Sequence, residues 1–263
     1  MRQSNRREIS LIEWAAGAVV VCLVATTACP LLRRDDVTGP RSVCMQNLRQ
    51  IGVSIQLYAD DYNDTYPRTT YDRPSAGLGL HWAVLVQPYV KSQSIFVCLG
   101  DHPVPAEYAR FPKGNLLPEI SYINNYAVIP AHDFWPVKHS QLGRVASTIL
   151  VGERRRVLPN GVKLKSWKGA SGFEPGQPCK GKKFGRDYRY VTLALAEDKL
   201  HHVKKDKELL LTRVNWTIHG GGSNYLFVDG HAAYQLFPAT LREENNQWGE
   251  RFYAQSMPKA RCD

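Results

Sequence analysis

From Trp14 to Leu32 the chain reads WAAGAVVVCLVATTACPLL, a run without a single charge. As a helix rising 1.5 Å per residue, such a run spans about 28 Å, close to the hydrocarbon thickness of a bilayer. Three arginines precede it, Arg2, Arg6 and Arg7, which favours an N-terminus kept in the cytoplasm and a remainder that is exported. Arg33 and Arg34 on the far side weaken that bias without reversing it. A buried core helix is the competing reading, but it would need a polar face and would not follow a basic tail so closely. The expected organisation is a cytoplasmic leader over 1–13, a transmembrane helix over 14–32, and an exported head over 33–263.

Composition is that of a globular head, with 43% hydrophobic and 22% charged residues. The net charge of +10 is concentrated, because residues 151–215 hold sixteen Lys or Arg against seven Asp or Glu. The stretch 154–214 therefore reads as a basic insertion on the head. A solvated, loop-rich lobe is the plainer reading, and attraction of DNA, acidic polysaccharide or anionic lipid the other. Six cysteines are present, two of them, Cys22 and Cys29, inside the apolar run. None forms a Cys-x-x-Cys pair, which argues against a zinc site built from cysteines. Cys44, Cys98, Cys179 and Cys262 instead fit one or two disulfides in an oxidising compartment, with a pairing that spacing does not decide.

Beyond the Gly39-Pro40 break, Cys44, Leu48, Ile51, Ile55, Tyr58 and Tyr62 recur at alternating spacings of four and three. That is one apolar stripe of an amphipathic helix, with Asp36 or Thr38 as candidate caps and Asn63 to Pro67 as the stop. Farther on, Tyr225-Leu226-Phe227-Val228 and His231 to Phe237 flank Asp229-Gly230. Two apolar runs about Asp-Gly predict a β-hairpin with a type I′ turn. The glycines of His219-Gly220-Gly221-Gly222 lack the following helix and Lys-Ser/Thr of a phosphate-binding loop, which argues against a nucleotide site. His219, Asp229 and His231 carry groups suited to a metal. The favoured reading is structural, with Asp229 and Gly230 shaping the turn and His219 bonding to the hairpin. No hydrolase, zincin, P-loop or paired redox-cysteine pattern occurs, so neither an enzyme nor a cofactor nor a small-molecule substrate is expected.

Two sets of residues carry a family resemblance. Ile9-Ser10-Leu11-Ile12-Glu13, with Pro30 behind it, resembles the start of type IV pilins and type II secretion pseudopilins. Then Cys44-Met45-Gln46-Asn47-Leu48-Arg49-Gln50-Ile51-Gly52, Tyr58-Ala59-Asp60-Asp61 and Tyr66-Pro67 resemble a block of the prepilin-type processing-associated H-X9-DG proteins. Further matches follow in order at His81-Trp82 to Tyr89-Val90, Ile95 to Cys98, Ser121 to Asn125, Ser147 to Glu153 and His219 to His231. The resemblance covers most of the chain outside roughly 154–214.

It implies an α+β, pilin-like fold in which a long N-terminal helix, half in the membrane, packs on a mainly antiparallel sheet. It implies a bacterial inner-membrane protein, single-pass, with its head in the periplasm or outside. Its partners would be other pilin-like subunits of a secretion or pilus-like assembly. Glu13 would register the membrane helix against a neighbouring subunit, a use of a buried charge for specificity more than stability. Cys44 and Cys98 match family cysteines, which implies a disulfide joining helix and sheet. The chain departs from the family at Cys98-Leu99-Gly100-Asp101, where Cys-Pro-Ser-Asp is usual. It departs again at Glu8, where the cleavage site before Ile9 calls for glycine. Cleavage between Glu8 and Ile9 and retention of the leader as a signal-anchor both stay open. So does a third reading, Thr26-Thr27-Ala28-Cys29 as a lipobox.

Overall fold

The computed structural model describes residues 39–69, 81–101, 120–131, 135–164, 169–178, 186–202, 210–251 and 253. The leader, Glu8, Ile9, Glu13 and the apolar run to Leu32 lie outside the described residues. Among those described, no helix is long and apolar enough to cross a membrane.

The apolar stripe behind the Gly39-Pro40 break becomes helix α1, Pro40–Asp61. It starts without a side-chain cap; Gly39 is the N-cap and Pro40 supplies the preset φ of the first turn. The N-cap position belongs to Gly39 and not to Asp36 or Thr38, the candidates from sequence, which lie outside the described residues. At the other end, Asn63 and Asp64 both adopt left-handed backbone, and the Asp64 N–H returns to the Ala59 carbonyl, closing the last turn. Cys44, Leu48, Ile51, Gly52, Ser54, Ile55, Tyr58 and Ala59 form its buried face.

That face lies on a four-stranded antiparallel sheet. The strands are β1 (Tyr122–Asn124), β2 (Ile149–Glu153), β5 (Ser223–Phe227) and β6 (Ala232–Gln235), in the order β1-β2-β5-β6. A short helix α2, Trp82–Leu85, precedes β1 in the chain. Two further strands, β3 (Phe173–Pro178) and β4 (Arg186–Tyr190), pair with each other as a separate ribbon. They are followed by α3, Leu193–His202, while α4, Phe237–Thr240, comes after the hairpin. The architecture is α+β with an antiparallel sheet, as expected.

Both faces of the sheet are covered, which explains why β2 and β5 are buried at every position. Along β1 and β5 side chains alternate between two cores, as the period of a strand requires, while an irregularity in β2 places both Leu150 and Val151 in the first. Tyr122, Leu150, Leu226 and Val228 meet the α1 stripe together with Trp82 and Phe96. Ile123, Ile149, Tyr225 and Phe227 point the other way, into a second core with Leu158, Leu164, Ala196, Leu200, Leu211 and Trp248. The basic stretch thus supplies a packed layer on the far face of the sheet. Several of its cations turn inward: Arg154, Arg156 and Arg213 are all buried. Arg154 donates to the carbonyls of Ile120 and Leu164, and Arg156 forms a buried ion pair with Asp101 at 2.7 Å. Burial pushes the Asp101 carboxyl up, against the pull of Arg156.

The β5–β6 hairpin forms where the Asp-Gly dipeptide predicts it, but its turn is not type I′. A type I′ turn needs positive φ at both central residues. Here Gly230 alone has it, at 89°, while Asp229 does not. The loop is one residue longer, Val228-Asp229-Gly230. Phe227 N–H donates to the His231 carbonyl, and Gly230 N–H to the Phe227 carbonyl. This is the three-residue loop with glycine in the left-handed position. Asp229 Oδ1 accepts from the His231 backbone N–H at 3.1 Å, an arrangement that holds Asp229 at negative φ.

Candidate functional site

Four segments distant in sequence meet at the start of β5: the first turns of α1, the Cys98–Asp101 turn, the end of β2, and the glycine turn after His219 with the strand β5 that it leads into. At their junction Cys44 and Cys98 form a disulfide across 54 residues. Both cysteines are wholly buried. The pairing is the one the family resemblance implies, but the bridge joins α1 to the Cys98–Asp101 turn and not to a strand of the sheet. Side chains reinforce the same seam: Asn47 Nδ2 donates to the Val97 carbonyl, and the Tyr122 hydroxyl to the Cys44 carbonyl.

Glu153, the last residue of β2, sits beside the bridge with no exposed surface. A carboxylate removed from water must have its lone pairs occupied. Ser223 Oγ and the Asn224 backbone N–H donate to Oε2, each at 2.8 Å. Asn224 Nδ2 reaches Oε1 at 3.1 Å, and His219 Nε2 approaches the same oxygen at 2.7 Å. The His219 imidazole is only 4% exposed. Cys98 Sγ lies 3.6 Å from Glu153 Oε1 and 3.6 Å from His219 Nε2. One ring nitrogen therefore faces both the acid and the sulfur. In a nucleophilic triad the two ring nitrogens would divide those partners between them, so the geometry is not that of a Cys-His-Glu relay.

Local sequence explains the placement. Gly100 is required beneath the ring, because a Cβ there would stand 2.8 Å from His219 Cε1. Gly220 and Gly221, with φ of 69° and 99°, provide the left-handed turn that brings His219 back over the strand. Gly222 admits the Tyr234 ring, whose hydroxyl donates to the His219 carbonyl. Asn224 also ties the site to α1 through the Arg41 carbonyl at 3.0 Å.

Of the residues singled out in the sequence, His219 and the two cysteines converge here. Asp229 and His231 do not; they lie at the opposite end of β5, where Asp229 Oδ1 contacts His231 Nδ1 at 2.6 Å on the surface. His219, Asp229 and His231 therefore cannot share one metal. His219 does bond to the hairpin, through its carbonyl and Tyr234, but its ring is committed to Glu153. Glu153, Ser223 and Asn224 were quoted only within longer matching segments. The signal that could have marked Glu153 is a carboxylate ending an otherwise continuous apolar strand. His81, the N-cap of α2, is also buried, and its Nδ1 accepts from the Ala83 N–H. Burial, with the charge of Arg154 adding to it, pushes this imidazole down to about 3.

Comparison with protein-family models, with curated proteins and with solved structures found no match to the chain.

Proposed function

We propose that the chain is a non-enzymatic, membrane-anchored, pseudopilin-like structural subunit of a type II secretion or type IV pilus-like assembly. The observation that carries this reading is the two-sided character of α1. One stripe packs on the sheet, while Gln46, Arg49, Gln50, Val53, Leu57 and Asp60 line the outward face. Val53 and Leu57, 55% and 44% exposed, put an apolar ridge at its centre, one helical turn apart. Only residues 33–39 separate this helix from the uncharged run that ends at Leu32. A helix fastened to its head by a disulfide and offering an outward ridge suits lateral packing against like subunits in a membrane-rooted bundle. Glu13 would set the register of that packing within the lipid.

The Glu153–His219 node supports a structural role for the head, since each oxygen of the carboxylate already accepts two hydrogen bonds from neighbours. Capture of DNA or acidic polysaccharide by the basic stretch is the weaker reading, because Arg154, Arg156 and Arg213 are turned into the protein. Mass spectrometry of the N-terminus of the chain from native membranes tests the proposal. A mature chain starting at Ile9, or an intact leader retained in the membrane, is the expected result. A lipidated Cys29, or a chain released from the membrane, would overturn it.

A further inference from the structure

We propose that reduction of the Cys44–Cys98 bridge converts the buried node into a Zn2+ site with Cys44 Sγ, Cys98 Sγ, His219 Nε2 and Glu153 Oε1 as its four ligands. The absence of Cys-x-x-Cys spacing speaks only to ligands adjacent in sequence. In space, one donor atom from each of these four residues lies within 4.8 Å of every other. Two thiolates, an imidazole and a carboxylate form a donor set that suits tetrahedral zinc.

The distances carry the inference further than the list of residues. Zinc–ligand bonds of 2.0–2.3 Å in a tetrahedron separate neighbouring donors by about 3.3–3.8 Å. Cys98 Sγ already stands 3.6 Å from both His219 Nε2 and Glu153 Oε1. The 2.7 Å contact between His219 Nε2 and Glu153 Oε1 must open by only about 0.6 Å to reach that range. Cys44 Sγ, which lies within 4.8 Å of the other donors, must swing into the same range, a movement that reduction of the bond between the sulfurs permits. That one ring nitrogen faces both acid and sulfur, unsuitable for a proton relay, is what four donors aimed at a common centre produce.

The surroundings are those of an organised metal site. Ser223 Oγ and the Asn224 N–H hold Glu153 Oε2, and Asn224 Nδ2 steadies Oε1, so the ligand oxygen is oriented before any ion arrives. The Gly100 N–H points at Cys98 Sγ at 3.4 Å, a donor that favours a thiolate. Gly220 and Gly221 beside His219 are exposed, which gives an ion a short way in through a side-chain-free turn.

The chemistry balances with a dithiol or phosphine as reductant. Two electrons and two protons convert the disulfide to two thiols while the reductant is oxidised. Zinc then displaces both thiol protons to solvent, and the proton on His219 Nε2 is exchanged for one on Nδ1. The zinc ion itself undergoes no redox change. The fold would thus hold α1 to the sheet by a covalent bridge under oxidising conditions and by a metal under reducing ones.

The test uses the full chain in detergent, carrying Cys22→Ser, Cys29→Ser, Cys179→Ser and Cys262→Ser so that two thiols remain. Co2+ is the probe, titrated with and without a phosphine reductant. The proposal predicts one equivalent bound by the reduced chain, with thiolate-to-cobalt charge transfer and tetrahedral visible bands displaced by Zn2+, and none by the oxidised chain. His219→Gln and Glu153→Gln should each weaken binding at least about tenfold. Should reduction unfold the head, Zn2+ must restore its circular dichroism in the parent chain and not in the His219→Gln chain. Equal binding by oxidised and reduced protein, absence of the tetrahedral signature, insensitivity to His219→Gln, or failure of zinc to restore an unfolded head would each overturn it.

Discussion

Removal of the Cys44–Cys98 bridge should cost the head about 4 kcal/mol. Cross-linking residues 54 apart in sequence deprives the unfolded chain of loop-closure entropy, and the chain-entropy relation for a loop of that size gives about 14 cal/mol/K. At 298 K that corresponds to about 4.2 kcal/mol. The clean perturbation compares one chain with its bridge intact and reduced, both in excess chelator so that no metal substitutes for it. Trp82 reports locally, since it is fully buried and packs edge-on against Phe96, two residues before Cys98. Followed by its fluorescence in urea, with a slope of about 2 kcal/mol per molar, the midpoint should fall by about 2 M on reduction. The Cys44→Ala, Cys98→Ala double variant should fall at least as far, because two buried sulfurs are lost as well. A shift of less than about 0.5 M with an unchanged slope would refute the reasoning. It would mean that packing and the hydrogen bonds of Asn47, Tyr122 and Asn224 hold α1 without the bridge, or that the unfolded chain is already compact.

Other outcomes follow from the same structure. Glu153→Ala should destabilise the head by about 3–5 kcal/mol in chemical denaturation, because Ser223, Asn224 and His219 would lose a buried acceptor. Glu153→Gln should cost about 2–3 kcal/mol, since its amide turns a donor towards donors. His81 is neutral when folded and holds its stabilisation at neutral pH, losing it as pH falls below the ordinary imidazole value of about 6.5 towards about 3. Between pH 7 and pH 5 this linkage removes about 2 kcal/mol; His81→Asn, which keeps a capping oxygen for Ala83 but does not titrate, should flatten that part of the stability profile. Gly172→Ala should lower thermal stability, by about 1–3 kcal/mol of overpacking, because the new Cβ would stand 2.3 Å from Trp248 Cβ.

Much of the α1 face and the hairpin was legible because each rests on local periodicity. The four-and-three spacing from Cys44 to Tyr58 became the buried stripe of a single helix. Tyr62, the last position of the series, stands just past the helix end and is 56% exposed, because the chain turns away there through left-handed Asn63 and Asp64. The Asp229-Gly230 dipeptide marked a reversal but not its length, since the side chain of Asp229 secures the His231 N–H and so selects the three-residue loop. The disulfide came from resemblance to a family; spacing among four cysteines left it undecided. The charge count over 151–215 misled in one respect. Counting cannot tell that Arg156 is turned in on Asp101 or that Arg154 caps two carbonyls, because those partners come from other segments. The Glu153 node was illegible for the same reason: its partners stand between 66 and 71 residues away in sequence. A strand-end acid gives no local sign that it will be buried.

The central claim, that α1 packs laterally against like subunits in a membrane-rooted assembly, is tested most directly by site-specific photocross-linking in native membranes. A cross-linker at Val53 or Leu57 should capture another copy of the chain or another pilin-like subunit. Capture should fall sharply when Glu13→Ala removes the register charge, while a cross-linker at the buried Ile51 position should capture nothing between chains. Monomer alone at Val53 and Leu57, or capture indifferent to Glu13→Ala, would contradict the account.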